Sequence, residues 1–315
     1  MNRSLVTSHL SLVTASLLVK HSIALHAFAK INLGLRILGK RPDGYHEIRT
    51  LYQTVDLHDH LEVELFPGKN GVHVECSDPA VPSGRSNLVY QACQLWKCAR
   101  SFKGRIEVRL KKQIPPGSGL GGASSDAAAT LVGLEHLSGD RLDLETRLRF
   151  AARLGSDVPL FFLGGRVLGC SRGEEVYPLG DLPGRYCLVV FPGFTVSTAE
   201  AYREADLGLT KRHIARKIRA FGVWSRVLLE TWGPAENDFE PVVFAKWPEL
   251  GELKGQLIRA GAETALLTGS GSAVYGIFDS APKLLRASKS IPAGWQAFRT
   301  RTLPRAEYQR RLLGS

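Results

Sequence analysis

From Ala24 to Ile37 apolar and polar positions alternate at the period of a strand, with Lys30 and Asn32 turned to one face and Ile31 and Leu33 to the other. Leu51–Val63 reads as a second strand region, after the turn Gly39-Lys40-Arg41-Pro42-Asp43-Gly44. A helix is predicted from Asn87 to about Ala99, with Ser86 or Asn87 as N-cap. Arg105–Lys112 returns to strand. Ala127–Leu134 is a helix, and Asp143 caps another over Leu144–Leu154 that Gly155 stops. Gly164–Gly169 and Glu174–Leu179 form a hairpin, and Tyr186–Phe191 is a buried strand. Lys211–Glu230 is a basic amphipathic helix, and Pro241 opens a further helix after Asn237-Asp238-Phe239-Glu240. Ala265–Tyr275 is strand, glycine turn, strand. There is no internal repeat and no low-complexity segment.

Between strand 105–112 and helix 127–134 lies Pro115-Pro116-Gly117-Ser118-Gly119-Leu120-Gly121-Gly122-Ala123-Ser124-Ser125. Glycines remove the Cβ atoms that keep a ligand off the backbone and allow φ > 0. Successive N–H groups then converge on an anion, and the following helix start adds unpaired donors and partial positive charge. Gly117, Gly119 and Gly122 satisfy G-x-G-x-x-G, but the dinucleotide version passes straight from strand to helix in a first βαβ unit. Here two prolines intervene, far into the chain. No Gly-Lys-Ser/Thr exists for a Walker A loop, and the companion motifs of protein kinases are missing. A mononucleotide triphosphate loop of another design remains.

The 315 residues suffice for one large or two ordinary domains. A hydrophobic fraction of 44% and a charged fraction of 23% are those of a soluble globular protein. No apolar run reaches the roughly 18 residues of a membrane span. Lys and Arg number 41 against 30 acids, a net charge of +11 that favours acidic or phosphorylated partners. The basic stretches Lys211–Arg226 and Arg299–Arg311 lack the aromatic interleaving of a nucleic-acid platform, having only Phe221 and Trp224 in the one and Tyr308 in the other, so they read as solvated helix faces. Five scattered cysteines without Cys-x-x-Cys suit a reduced cytosol. Residues 1–22 are expected as a flexible tail or a misplaced start, and the composition of 1–20 also admits an organelle transit peptide.

Pro-x-Gly-x-Gly-Leu-Gly-x-x-Ser-Ser resembles the second motif of the GHMP kinases. Ala29-Lys30-Ile31-Asn32-Leu33 and Arg41-Pro42-Asp43-Gly44-Tyr45-His46 resemble one branch of them, the cytidylyl-methylerythritol kinases of the non-mevalonate isoprenoid route. The resemblance spans about residues 24–300. It implies an α+β, two-domain GHMP kinase fold. The first domain (23–182) would be of the ribosomal protein S5 domain 2 type and the second (183–303) a smaller α/β sandwich, with 304–315 as a tail. It implies ATP and Mg²⁺, a small-molecule substrate, no nucleic acid or membrane partner, and a monomer or homodimer in the cytoplasm.

The resemblance also assigns roles. Asp157, in Gly-x-Asp-Val-Pro at a helix–strand junction, is the catalytic acid–base residue, and Lys30 its partner. Loop residues 115–125 hold the phosphates, Asn87 and Leu88 border the adenine, and Lys112 faces the nucleotide. Ser124 or Ser125 offers a Mg²⁺ ligand; no acidic one is identified. Asn32 orients the acceptor hydroxyl. Tyr45, His46 and Tyr202 take the cytosine, to which the residues themselves are suited: tyrosines stack, and an imidazole offers ring nitrogens to a base edge. Gly269, Ser270 and Gly271 belong to a third motif that closes over the substrate. The competing readings are a sister kinase acting on homoserine or mevalonate, and a non-catalytic nucleotide- or RNA-binding protein.

Overall fold

A computed structural model of the chain describes residues 22–206 and 236–314. The expected helix at 211–230 and the tail at 1–20 lie outside the described residues. Two sheets carry the architecture. In the first, β1 (Ser22–Lys40) and β2 (His46–Phe66) form a long antiparallel hairpin. Each alternates polar and apolar side chains, so one hairpin serves both a core and a polar site. On its other edge β2 pairs with β4 (Arg105–Lys111) near one end and β5 (Arg166–Cys170) near the other. β3 (Gly71–Cys76) runs parallel to β4, and β6 (Glu175–Pro178) closes the hairpin expected with β5.

Helices α1 (Leu88–Arg100), α2 (Gly122–Ser138) and α3 (Leu144–Leu154) cover this sheet. Their core includes Trp96, Leu131, Leu134 and Phe150, which meet Leu25, Val63 and Val108 of the strands. A short helix α4 (Leu160–Leu163) stands where a strand was expected after Asp157. Successive turns coil the backbone there, Val158 N donating to Gly155 O, Phe161 N to Val158 O and Gly164 N to Leu160 O, so it does not extend.

The second sheet is antiparallel, in the order β10 (Gln296–Arg301), β7 (Tyr186–Phe191), β9 (Val274–Phe278), β8 (Thr264–Leu267). It is backed by α5 (Thr198–Asp206), α6 (Glu240–Lys246), α7 (Pro248–Arg259) and α8 (Ala281–Ser288). The stretch 179–185 connects the sheets, and the boundary expected at 181–184 falls within it. The sheets share a third core. Ile31, Leu33 and Leu51 of the first pack with Val189, Leu266 and Tyr275 of the second and with Leu120 of the glycine loop. Among the described residues no helix is long and apolar enough to cross a membrane. The five cysteines are unpaired.

The segment 304–315 is not a tail. Arg305–Leu312 forms helix α9, which lies on the first sheet. Tyr308 is buried, its ring 5.4 Å from Phe28 and its hydroxyl donating to Phe161 O at 2.6 Å. Gly164, at φ +66°, makes this docking possible, since a Cβ there would collide with the Tyr308 ring. One buried tyrosine in a short, strongly polar helix leaves little trace in the hydrophobic pattern. Removing so large a buried side chain should be costly. Tyr308→Ala is expected to lower stability by about 3–5 kcal/mol, read as a fall in the urea midpoint; an unchanged midpoint would return the segment to the status of a tail.

Candidate active site

The glycine loop runs from β4 into α2. Gly117, Gly119 and Gly121 all take positive φ, and Gly121 is the N-cap residue of α2. The helix therefore begins at Gly122, five residues earlier than the apolar pattern indicates, and Ser124 and Ser125 lie in its first turn. The unpaired N–H groups of that turn thus belong to the loop itself. Gly119 has a second constraint: a Cβ there would strike the carbonyl of Thr268 in the β8–β9 turn. That turn is bonded to the loop, Ala273 N donating to Ser118 O at 3.1 Å and Thr268 Oγ1 to Gly119 O at 3.3 Å. The second and third motifs thus form one surface drawn from both sheets.

Beneath the loop lies a buried ion group. Lys112 Nζ sits 2.5 Å from Asp59 Oδ2 and 2.7 Å from Asp126 Oδ2. Asp59 Oδ1 also accepts from the backbone N–H of Gln113 and of Ile114, at 2.5 and 2.8 Å. Burial, opposed by Lys112 and reinforced by Asp59, pushes Asp126 up to about 8. The Lys112 ammonium lines the cavity, as expected of a residue facing the nucleotide, and is at the same time bonded to these carboxylates. Its work is to hold the entry of the loop.

Two cavities flank the loop. One, of about 310 Å³, is lined by Pro82, Asn87, Leu88, Lys112, Asp126 and loop residues 114–124. The other, of about 680 Å³, is lined by Lys30, Asn32, Tyr45, His46, Tyr52, Asp157, Arg172, Tyr202, Gly269 and Ser270 among others. Gly119, Gly121 and Ser124 line both, so the loop is the wall between them. Two expected residues line neither. Ser125 is buried under the helix turn, and Gly271 faces the β8–β9 turn, its N–H donating to Thr268 O. Asn87 caps α1, its Oδ1 accepting from Val89 N at 2.7 Å and its Nδ2 donating to Pro82 O.

At the wall stands Lys30, 3% exposed on β1. Its Nζ donates to Asn32 Oδ1 at 2.7 Å and lies 3.5 Å from Asp157 Oδ2. Asn32 is itself locked, donating to Thr50 Oγ1 at 2.8 Å and accepting from Thr268 Oγ1 at 3.2 Å. It thus orients the lysine more directly than any hydroxyl acceptor. The Asp157 side chain is 29% exposed and open to the larger cavity. Tyr52 donates its hydroxyl to Asp157 Oδ1 at 3.1 Å. Burial first, then the charge of Asp157, holds the Tyr52 phenol well above its ordinary pKa, so it stays a donor. Sequence reading missed Tyr52, although it faces Asn32 across the β1–β2 ladder, so the hairpin register would have found it.

At the far end of the larger cavity His46 and Tyr202 stack, centroids 4.3 Å apart at 10°, with Tyr202 edge-on to Phe239. Tyr45 is exposed at the mouth, the Arg172 guanidinium 4.7 Å from its ring. The tip of the β1–β2 hairpin and α5 of the second sheet together build this aromatic end.

Known proteins resemble the chain in sequence and in fold. The GHMP kinases N terminal domain matches residues 87–165, and the GHMP kinases C terminal domain residues 215–295. The 4-diphosphocytidyl-2-C-methyl-D-erythritol kinase of Solibacter usitatus is 45% identical over 268 residues, covering 84% of this chain and 83% of its own. That of Geobacter sulfurreducens is 37% identical over 284 residues, covering 89% and 99%. The chain belongs to the 4-diphosphocytidyl-2-C-methyl-D-erythritol kinase family. A crystal structure of 4-(cytidine 5'-diphospho)-2C-methyl-D-erythritol kinase aligns at a TM-score of 0.71 and 35% identity, over 89% of this chain and 99% of that one. Homoserine kinase from Cytophaga hutchinsonii aligns at 0.70 but 19% identity, over 90% and 95%, a likeness of fold alone. Membership in the 4-diphosphocytidyl-2-C-methyl-D-erythritol kinase family carries the GHMP kinase fold, ATP-dependent phosphoryl transfer and the α+β architecture with it.

The ion group under the loop yields a test. Asp59→Ala leaves the Lys112–Asp126 pair and two backbone N–H groups without their buried partner. It is expected to cost about 3–5 kcal/mol in denaturant unfolding and to raise the KM for ATP. A variant with wild-type stability and KM would show that the loop holds its shape without this anchor.

Proposed function

We propose that the chain transfers the γ-phosphoryl group of ATP to the 2-hydroxyl of 4-diphosphocytidyl-2-C-methyl-D-erythritol, giving the 2-phosphate and ADP in non-mevalonate isoprenoid precursor synthesis. The observation that carries this is the placement of Lys30 and Asp157 3.5 Å apart, beside the loop shared by the two cavities. One cavity suits a nucleotide tail and the other a long acceptor with an aromatic-binding end.

ATP lies in the smaller cavity with its adenine against Pro82 and Leu88 and its phosphates on the backbone N–H groups of residues 117–124. The acceptor lies in the larger cavity, its cytosine on the Tyr202 face that His46 now covers and its tetritol end at Asp157. Phosphoryl transfer asks for in-line positioning and charge stabilisation more than covalent help. The Asp157 carboxylate takes the proton of the acceptor hydroxyl. That oxygen bonds the γ-phosphorus as the bond to the ADP oxygen breaks. Lys30 steadies the ionised carboxylate and the charge on the transferring group. Tyr52 and Asn32 fix the two reacting side chains in place.

Mg²⁺ takes oxygen ligands and keeps several waters, so one protein oxygen beside the phosphates suffices. The Ser124 hydroxyl, which faces both cavities, fits that need; Ser125, lining neither, does not. When bound, the ion neutralises phosphate charge.

Three measurements test the reading. Asp157→Asn and Lys30→Ala are each expected to lower kcat at least about 100-fold with little change in nucleotide affinity. Near-wild-type turnover by either would remove that residue from the chemistry. Tyr52→Phe loses one hydrogen bond to the carboxylate and is expected to lower kcat by about 3–10-fold, corresponding to roughly 1 kcal/mol, with KM for the acceptor nearly unchanged. In a coupled assay with ATP, the cytidylyl methylerythritol acceptor should turn over while homoserine and mevalonate do not; turnover of either of those instead would reassign the substrate.

A further inference from the structure

Three histidines gather on the first sheet, none lining either cavity. His58 and His60 are two apart on β2 and so share a face, and His26 on β1 is the direct cross-strand partner of His60. A bulge adjoins them, the register passing from Phe28↔His58 to Ala29↔Val55, and bulges re-aim side chains. The ring centroids stand 4.5 Å apart for His26 and His58, 5.0 Å for His26 and His60, and 4.8 Å for His58 and His60. One ring nitrogen from each lies within 4.8 Å of the other two. Zn–N bonds of about 2.0–2.1 Å in a tetrahedron put ligand nitrogens about 3.3 Å apart, so small ring rotations close the set.

Two ring nitrogens of the cluster stand unpaired. Among the described residues, Nδ1 of His26 and Nδ1 of His58 are buried and hydrogen-bonded to nothing. Buried polar atoms are ordinarily satisfied, and orphans call for an explanation. Asp56 Oδ1 is 3.7 Å from His58 Nδ1, too far for a hydrogen bond. Charges of both signs surround the cluster. Asp56 pairs with Arg311 at 2.6 Å and Arg301 at 3.3 Å, and Glu307 pairs with the same two arginines. Two carboxylates thus stand among the cations that border the cluster, which also include Lys111 across the ladder from His60.

We propose that His26, His58 and His60 bind one Zn²⁺ through their ring nitrogens, with water as the fourth ligand, clamping β1 to β2. An all-imidazole set selects zinc and its softer neighbours over Mg²⁺, so this site is chemically separate from any metal that accompanies ATP. It does not depend on the reaction proposed above.

The test uses the full chain, stripped of metal with a chelator and kept free of nucleotide, titrated with zinc chloride by calorimetry. One equivalent should bind, excess Mg²⁺ should not compete, and the Co²⁺ form should show the intense visible absorption of a tetrahedral site. His60→Gln should weaken zinc at least about 100-fold, the upper end of what loss of an outer partner costs, while keeping phosphoryl transfer. His26→Gln should behave alike if His60→Gln fails to fold, and His136→Gln, remote from the cluster, should bind as wild type. No uptake by the wild-type chain, effective competition by Mg²⁺, or undiminished affinity in the folded cluster variants would overturn the proposal.

Discussion

A lysine ammonium buried between two sheets is tolerable only if its charge is met in place, because the desolvation of an unpaired cation far exceeds what a domain has in reserve. Lys30 is met by Asn32 and Asp157, and each of those is held in turn. Asn32 is tied to Thr50 on the neighbouring strand and to Thr268 on the second sheet; Asp157 is tied to Tyr52. The constraint reaches across the molecule. The hairpin must keep its register, the β8–β9 turn must approach closely, and the turn after α3 must deliver a carboxylate to one spot. Gly119 is glycine because that approach leaves no room for a side chain.

The glycine loop shows the same economy at its other end. Main chain forms its concave surface, and the buried Asp59–Lys112–Asp126 group holds it from below. A preorganised cradle need not reorganise as charge moves during transfer, which is where such sites derive their advantage over water. The loop is also a partition. Two ligands reach each other only beside it, and Ser124 and Lys30 stand there.

Much of this was legible before any coordinates. The alternation in β1 and β2, the paired prolines, the glycines and the cap at Asp143 each have a local physical cause, and each element formed where that cause stands. Lys30, Asp157, Tyr45, His46 and Tyr202 were found through short motifs, and the fold brings all five to one cavity. What escaped depends on partners distant in the chain. Lys112 beside a glycine loop reads as a residue facing the nucleotide, and its bond to Asp59, fifty-three positions earlier, shows only in the fold. Tyr52 looks like one more aromatic in a strand. Helix α2 starts early because Gly121 takes the left-handed N-cap position and Gly122, a poor helix former in the interior, is its first helical residue. The helix at Arg305–Leu312 has almost no apolar stripe, since it buries only Tyr308 and Leu312.

That last helix bears on how the chain comes to be folded. Its residues follow both sheets in the chain, yet they pack against Phe28 and Phe161, among elements made much earlier. Leu303 likewise closes a backbone bond with Thr54 at 2.8 Å. Domains ordinarily fold as they emerge, amino-terminal unit first. Here the place on the first sheet that this helix covers stays open until the strands of the second sheet have been made. A segment that follows the second sheet thus completes the first, and a cut in the stretch 179–185 would part the first sheet from the helix that covers it.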